Sequence, residues 1–378
     1  MPTHQERILI RGLNWLGDAV MALPALHQLR EAHPDAHICM LTHKKLADLW
    51  RAPLIDSTIE FDKSDGVFAV AGRIRAQKFT TGVILPLSLQ SALELWLAGV
   101  PKRYGIAHKG RSFLLTHPVQ KCPGIVEIEK RSDADIRRLA ANNDRQAEVA
   151  IPVESHHVYR YLRLTASLGA EGRPEAPSLP IREDEMEQAQ ARFDGVVSSV
   201  GRPVFGMCPG AEFGAAKRWP ADRFIEAGRK LQDQTGCRWI LFGGPGDIQA
   251  CDQIAAALDE QAGGARTTNL AGKTSVRELA CLLKACSLLL GNDSGPMHLA
   301  AAVGTPVAVP FSSTSAALTG PGLPGDDRHF LLTSTAACSP CFVRRCPIDM
   351  RCLNSLEVDR MVAGVLKLHG PSRALAAT

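Results

Sequence analysis

Short apolar segments alternate with helix-length segments twice along this chain, and this alternation constrains its fold more than any other feature. A repeated strand–helix–strand rhythm indicates parallel sheets covered by helices. The sequence therefore predicts an α/β protein with two Rossmann-like, doubly wound parallel-sheet domains facing across a cleft. The first series has strands at 7–11, 38–41, 57–61 and 82–86 and helices at 19–32, 44–50, 67–75 and 88–98. The second has strands at 203–208, 238–242, 268–270, 287–290 and 307–310 and helices at 220–234, 247–258 and 275–285.

The two series are separated by a less regular region. From residue 102 the pattern becomes irregular and charged, before a helix at about 155–168. Residues 169–177 are rich in glycine and proline and indicate a linker. We therefore place an N-terminal domain at 1–175, a C-terminal domain at 176–355, and a C-terminal helix and tail at 356–378.

The composition limits the classes of partner. A net charge of +4 over 378 residues and an aromatic content of 5% argue against a nucleic acid partner. No run approaches the roughly 18 apolar residues of a membrane span, and the N-terminus lacks the apolar core of a signal peptide. We therefore expect a cytoplasmic chain without a transmembrane segment, in which most cysteines are reduced core thiols.

The predicted strand at 287–290 is followed by a polar turn and a helix at 297–303. A helix that begins there directs unpaired backbone N–H groups and its positive dipole end beyond the strand, where a phosphate group binds. The same residue types also fit a turn that only caps the helix. The candidate phosphate-binding residues are Asn292, Asp293, Ser294, Gly295, Pro296, Met297 and His298.

The loop after the first strand, 12–18, has the glycine spacing of a P-loop but ends in Asp18, where a P-loop needs lysine. It does not fit the dinucleotide fingerprint Gly-x-Gly-x-x-Gly either, which argues against a dehydrogenase. A carboxylate at this position is able to act as a general base toward a hydroxyl group. It also fits an aspartate that only complements the helix dipole.

The loop after the first strand of the second domain, 209–220, combines small residues with two basic ones. Gly210 and Ala211 allow a ligand to approach the backbone closely, and Lys217 and Arg218 supply positive charge. Because this loop ends at the same sheet edge as the 292–298 turn, the two together predict a diphosphate site. Solvated loop charges are the alternative. Asp247, after the next strand, fits either a ribose contact or a helix cap.

Two further charged stretches and one cysteine cluster complete the candidate sites. Segment 102–111 is a basic patch that suits an anionic partner, with a plain solvated surface as the alternative. The Asp-x-Asp at 133–135 is interpreted as surface. Cys338, Cys341, Cys346 and Cys352 fit a metal site or a structural or redox-sensitive thiol loop, and their later spacings suit the common zinc layouts poorly.

Taken in order, these motifs resemble those of the ADP-heptose:lipopolysaccharide heptosyltransferases, a GT-B glycosyltransferase family (glycosyltransferase family 9). The resemblance extends over nearly the whole chain and is weakest at 112–150. It favours the second heptosyltransferase of the pathway over the first, because the 212–216 loop lacks the hydroxyl side chains expected of the first. The motifs that carry the resemblance are 12–18, 209–220, 269–274, 292–298 and 338–352.

The resemblance implies an inverting transfer of heptose from ADP-L-glycero-β-D-manno-heptose to heptosyl-Kdo-lipid A in the inner core of lipopolysaccharide. It implies Asp18 as general base, Lys217 as phosphate partner and Asp293 as donor-sugar contact, without metal or cofactor. The N-terminal domain would bind the acceptor and the C-terminal domain the nucleotide sugar. The implied donor-binding set is Gly210, Ala211, Arg218, Asp247 and the turn Asn292 to His298, and the acceptor-binding set is Asn14, Arg103, Lys109 and Arg111.

A lipid-linked acceptor implies work at the cytoplasmic face of the inner membrane of a Gram-negative cell, with peripheral contact only. We expect a monomer. Two alternatives stay open. The chain could use another donor or acceptor within the same family, or it could bind nucleotide sugars without catalysis.

Overall fold

The structure is a computed structural model that describes residues 5–51, 53–142, 150–193, 196 and 201–370. The chain divides into two compact units, Met1–Ile125 with Pro152–Pro177 and Val126–Ile151 with Ser178–Thr378. This division differs from the boundaries drawn from sequence in two places. The described residues of 126–142 and the helix that follows residue 356 both pack with the second unit. The C-terminal tail at 371–378 lies outside the described residues.

The first unit is built on a six-stranded parallel sheet with the order β3-β2-β1-β4-β5-β6. Its strands are β1 (Arg7–Arg11), β2 (His37–His43), β3 (Ser57–Phe61), β4 (Thr81–Ile84), β5 (Lys102–Ile106) and β6 (His117–Val119). Its helices are α1 (Leu16–Met21), α2 (Leu23–Ala32), α3 (Val67–Arg75), α4 (Leu89–Leu97) and α6 (His157–Ala166), with short 3-10 helices at Lys44–Leu49, Ser112–Leu114 and Val153–Ser155.

The second unit has a six-stranded parallel sheet with the order β12-β11-β10-β7-β8-β9. Its strands are β7 (Val204–Cys208), β8 (Arg238–Leu241), β9 (Thr267–Asn269), β10 (Leu288–Gly291), β11 (Val307–Phe311) and β12 (Phe330–Thr333). Its helices are α5 (Asp133–Asn142), α7 (Glu183–Arg192), α8 (Ala221–Thr235), α9 (Ile248–Ala262), α10 (Val276–Ala285), α11 (Gly295–Ala302), α12 (Ala316–Thr319), α13 (Arg351–Asn354) and α14 (Val358–His369), with 3-10 helices at Ala215–Lys217 and Pro245–Asp247.

Both sheets have the same topology, since each is ordered 3-2-1-4-5-6 when its own strands are counted. The central strands are apolar and buried on both faces, as parallel strands under helices must be. The predicted fold class of two Rossmann-like doubly wound sheets is confirmed. In this topology, ligands bind beyond the carboxyl ends of the first and fourth strands, where the strand order reverses. The loops after β1 and β4, and after β7 and β10, are therefore the places to look for a site.

Two sequence expectations about local structure were wrong. The region after residue 102 is not irregular, because it contains β5, β6 and α5. The helix expected at 19–32 is two helices. α1 starts earlier, at Leu16, and α2 starts at Leu23 with Pro24 in its first turn. Proline lacks a backbone N–H and is tolerated at a helix start rather than in an interior, so it marks the break between α1 and α2. Among the described residues, no helix is long and apolar enough to cross a bilayer.

Candidate active site

In the second unit, the turn after β10 is fixed by the buried side chain of Asn292. Its Nδ2 donates to the carbonyl of Pro209 at 2.7 Å, and its Oδ1 accepts the backbone N–H of Trp219 at 3.0 Å. Asn292 therefore clamps both ends of the loop after β7 against the turn after β10. Helix α11 begins directly after the turn that follows β10, with Ser294 as its N-cap and Pro296 in its first helical turn.

Lys217 and Asp293 form a buried ion pair between these two loops. The Nζ of Lys217 lies 2.6 Å from Oδ2 of Asp293, and the two side chains are 12% and 4% exposed. The hydroxyl of Thr314 donates to the same oxygen, and the lysine also lies 4.9 Å from the ring centroid of Phe213. The alternative of a solvated loop charge is therefore wrong for Lys217. Its ammonium group retains donors for a ligand beside the start of α11.

Arg218 and Asp247 complete the edge of this region. Arg218 is half exposed, donates to the carbonyl of Ala211 at 3.2 Å and lies 3.6 Å from the carboxylate of Asp247. Asp247 accepts the N–H of Gly244 at 3.0 Å and so closes the 3-10 turn Pro245–Asp247, but its side chain makes no capping hydrogen bond to α9. The ribose contact stays a prediction. A Cβ at Gly210 would overlap the Asp247 carboxylate, so a larger residue there would displace that side chain.

The turn that presents Lys217 rests on the cysteine-rich segment. The N–H of Ala216 donates to the carbonyl of Arg344 at 3.1 Å, and the carbonyl of Ala216 accepts the hydroxyl of Ser312 at 2.9 Å. Below it, Ala216 packs in a small apolar cluster with Cys338 and Cys341. A Cβ at Gly214 would overlap the carbonyl of Arg344, so this turn lies directly against the segment.

Three of the four thiols of that segment are buried, and Cys346 is partly exposed. Burial raises the pKa of Cys338 and of Cys341, and raises that of Cys352 to about 12, so their thiolate forms are disfavoured. Within the described part of the chain, no group of three or more His, Cys, Asp or Glu side chains could hold a metal ion. The role of this segment, as a metal site or as a structural or redox-sensitive thiol loop, stays a prediction.

In the first unit, Asp18 lies in the first turn of α1, directly beyond β1, with 30% of its side chain exposed. Two residues of α6 lie against it. The Nδ1 of His157 is 4.0 Å from Oδ1 of Asp18, and the buried phenol of Tyr161 lies near the same carboxylate. Burial and the nearby carboxylate raise the pKa of Tyr161, so the phenol stays protonated.

The loop between β1 and Asp18 is held by Arg11, the last residue of β1. Its guanidinium donates to the buried carboxylate of Glu94 at 2.8 Å, to the carbonyl of Gly12 at 2.8 Å and to Oδ1 of Asn14 at 3.2 Å. Arg11 also lies 4.4 Å from the ring centroid of Phe61. This network holds the loop after β1 at Gly12 and at the side chain of Asn14.

The basic patch divides into residues with different roles. Arg111 is 1% exposed and donates to the carbonyls of Ile106 and Pro86, and burial lowers its pKa to about 10. The prediction that Arg111 contacts an acceptor is therefore wrong, because its guanidinium holds the backbone together. Arg103 is half-buried and donates to the carbonyl of Leu114 at 2.7 Å. Lys109 is exposed in an open depression of about 450 Å³ lined by residues 107–113, and it stays a candidate.

The structure thus brings the donor-side candidates together in one unit and places Asp18 with Asn14 in the other. Several site residues were missed from sequence. A lone acid in an otherwise uncharged helix was the signal for Glu94, and a run of hydroxyl residues after β11 was the signal for Thr314. His157 and Tyr161 gave no signal, since only the packing of α6 against α1 brings them to Asp18.

Comparison with known proteins places this geometry in a family. The profile of glycosyltransferase family 9 (heptosyltransferase) matches residues 130–351. The chain is 31% identical to lipopolysaccharide heptosyltransferase 2 of Escherichia coli over 330 residues, which cover 83% of this chain and 85% of the relative. It is 30% identical over 328 residues to lipooligosaccharide heptosyltransferase 2 of Haemophilus influenzae, with 83% and 85% covered.

Two solved structures support the same placement. The structure of the Escherichia coli ADP-heptose lipopolysaccharide heptosyltransferase II superposes with a TM-score of 0.71 and 27% identity, covering 96% of this chain and 98% of that chain. An Escherichia coli heptosyltransferase solved with ADP superposes with a TM-score of 0.65 over 96% of this chain and 99% of that one. At 18% identity, the second match shows the fold alone.

Proposed function

Because this chain belongs to glycosyltransferase family 9, the heptosyltransferases, we propose that it transfers heptose from ADP-L-glycero-β-D-manno-heptose to the inner core of lipopolysaccharide. The proposed acceptor is heptosyl-Kdo-lipid A, and the configuration at the transferred carbon inverts. The relatives that are named as the second heptosyltransferase of the pathway support this choice of substrates.

The observation that carries the proposal is the buried Lys217–Asp293 pair beside the start of α11. When the bond from heptose to ADP breaks, negative charge grows on the diphosphate. A preorganised ammonium group and the positive end of a helix stabilise this charge without a change of position. In this account Lys217 contacts the diphosphate and Asp293 contacts the donor sugar, while the backbone of the turn holds the phosphates.

Asp18 supplies the other half of the reaction. Its carboxylate accepts the proton of the acceptor hydroxyl while that oxygen forms the new bond to the heptose carbon and ADP leaves from the opposite side. The phenol of Tyr161 and the ring of His157 orient the carboxylate. Asn14 and Lys109 are proposed acceptor contacts, and Arg103 acts beside them from a half-buried position.

The remaining elements of the proposal concern the need for a metal or cofactor, the oligomeric state and the location in the cell. Lys217 and the helix end carry the charge of the leaving group, so no metal or cofactor is assigned to the reaction. The enzyme is proposed to act as a monomer in the cytoplasm, peripherally at the inner membrane, because the acceptor is lipid-linked.

A donor screen tests this function. Purified protein is incubated in EDTA with ADP-heptose, UDP-glucose or GDP-mannose, each with and without heptosyl-Kdo-lipid A, and products are measured by mass. Heptose addition that depends on the acceptor and persists in EDTA is the expected result. Transfer from a different donor would overturn the substrate, and ADP-heptose binding without any product would favour a non-catalytic binding protein.

A further inference from the structure

The outer side of α4 carries apolar side chains that the fold leaves uncovered. Leu89 and Trp96 are 50% and 48% exposed, and Leu93 is half-buried between them. Their spacing of four and three residues places them on one side of the helix. Glu94, the single charged residue of α4, faces the core, where it pairs with Arg11. Apart from the amide of Gln90, the exposed part of α4 is therefore apolar, and it carries no charge.

Helix α3 extends this surface. It packs beside α4, and the guanidinium of its last residue, Arg75, donates to the carbonyl of Leu97. Phe68, near the start of α3, is 79% exposed. The charged side chains of α3 and of the turn after it are all basic, but Arg73 is paired with Asp65, which lies just before the helix. We define the α3/α4 face by its outward residues Phe68, Arg75, Lys78, Leu89, Leu93 and Trp96.

We propose that the α3/α4 face docks this enzyme on an anionic lipid surface. The proposal rests on the proposed function, since a lipid-linked acceptor has to be met at a membrane. Tryptophan and leucine side chains enter the headgroup region, while flanking basic residues bind anionic headgroups. An uncharged apolar surface with the basic side chains of Arg75 and Lys78 beside it complements such a membrane in both respects.

The position of α4 within the first unit fits this role. Because α4 follows β4, its first residue, Leu89, lies at the carboxyl edge of the sheet, the edge at which Asp18 also lies. The buried Arg11–Glu94 pair ties α4 to the loop after β1. A membrane contact along α4 would therefore hold the sugar headgroup of a lipid-linked acceptor at the edge that carries the candidate base.

Vesicle co-sedimentation tests the docking surface without acceptor or donor. Wild type and variants are mixed with phosphatidylglycerol/phosphatidylethanolamine vesicles or with phosphatidylcholine vesicles. We expect salt-sensitive binding to the anionic vesicles, about tenfold weaker for Leu89→Gln/Trp96→Gln, and about fivefold weaker at low salt for Lys78→Gln. Met350→Gln, which removes an equally exposed apolar side chain from the second unit, is the matched control and should bind as wild type does.

Two further measurements control for effects of the substitutions on folding and on catalysis. Thermal unfolding and transfer to a deacylated, water-soluble acceptor should be unchanged in Leu89→Gln/Trp96→Gln, which separates a docking defect from a folding or catalytic one. Absence of transfer by wild type would contradict the proposed function and leave the vesicle result intact. Equal vesicle binding by wild type and Leu89→Gln/Trp96→Gln would overturn the docking surface. A wild-type dimer that the double variant converts to a monomer would also overturn it, since the face would then bind a second copy.

Discussion

The two units have the same sheet topology but opposite chemistry at the point where the strand order reverses. In the first unit, this edge presents the carboxylate of Asp18, held by side chains of α6. In the second, it presents the ammonium group of Lys217, held by Asp293 beside the start of α11. One topology therefore provides an edge suited to accepting a proton and an edge suited to stabilising an anion. The difference lies in the loops, not in the sheets.

A buried ion pair supports each of these two sheet edges, but the two pairs are buried to different extents. Arg11 and Glu94 are 4% and 0% exposed and are bonded to the loop after β1. Lys217 and Asp293 are slightly more accessible and lie where a ligand is expected. The first pair is an internal brace, whereas the second is part of the binding surface. The variants below test whether this contrast holds.

The largest effect is expected at the candidate base. Asp18→Asn removes the proton acceptor and keeps the shape of the side chain, so kcat should fall by about 10³-fold in a transfer assay. Asp133→Asn, which changes an exposed aspartate at the start of α5, should leave kcat unchanged. Wild-type turnover by Asp18→Asn would show that another group accepts the proton.

Removing the cation of the second unit should have the next largest effect. Lys217→Met deletes the charge that opposes the leaving diphosphate and leaves Asp293 buried without its partner, so kcat/KM should fall by about 10²-fold. Lys217→Arg keeps the charge and should retain part of the rate. Lys284→Met, on the exposed side of α10, is the control. A rate for Lys217→Met close to that of the control would remove Lys217 from the mechanism.

The Arg11–Glu94 pair in the first unit is expected to contribute mainly to folding stability. Arg11→Met leaves the buried carboxylate of Glu94 without its cationic partner. It should therefore lower the free energy of unfolding by about 3 kcal/mol in urea denaturation. Arg11→Met/Glu94→Leu should recover most of that loss, because two apolar side chains replace two buried charges. We expect transfer by the double variant to stay slow, since Gly12 and Asn14 lose their donor. Full activity in the stable double variant would show that the pair is dispensable for positioning.

The smallest effect is expected at the exposed lysine of the basic patch. Lys109→Gln should raise the acceptor KM by about fivefold at low ionic strength and less at high salt, with the donor KM unchanged. Steady-state kinetics with each substrate varied in turn measures both constants. An acceptor KM that does not respond to the substitution would assign Lys109 to the solvated surface.

Much of the fold, including its division into two parallel-sheet units, was predictable from the sequence. The alternation of apolar strands and helices predicted both parallel sheets, and the motifs predicted the family that the comparisons confirm. Short strands such as Lys102–Ile106, which lies next to the edge strand β6, were missed, because charged residues interrupt the apolar pattern that marks a buried strand. The roles of Asp18, Lys217 and the donor turn stay predictions that the kinetics above are designed to test.

The supporting side chains could not be predicted, because their partners are distant in sequence. Glu94 is 83 residues from Arg11, and Tyr161 reaches Asp18 only through the packing of α6 on α1. Local sequence gives the type of a side chain but not its exposure. For this reason Arg111 was predicted as a ligand contact, and the structure shows it bonded to backbone carbonyls in the interior.

The central claim is that donor binding belongs to the second unit and proton transfer to the first. Calorimetric titration of ADP into wild type, Asp18→Asn and Lys217→Met tests it most directly. The account predicts an unchanged ADP affinity for Asp18→Asn and a loss of about tenfold or more for Lys217→Met. A comparable loss of ADP affinity in Asp18→Asn, or none in Lys217→Met, would contradict it.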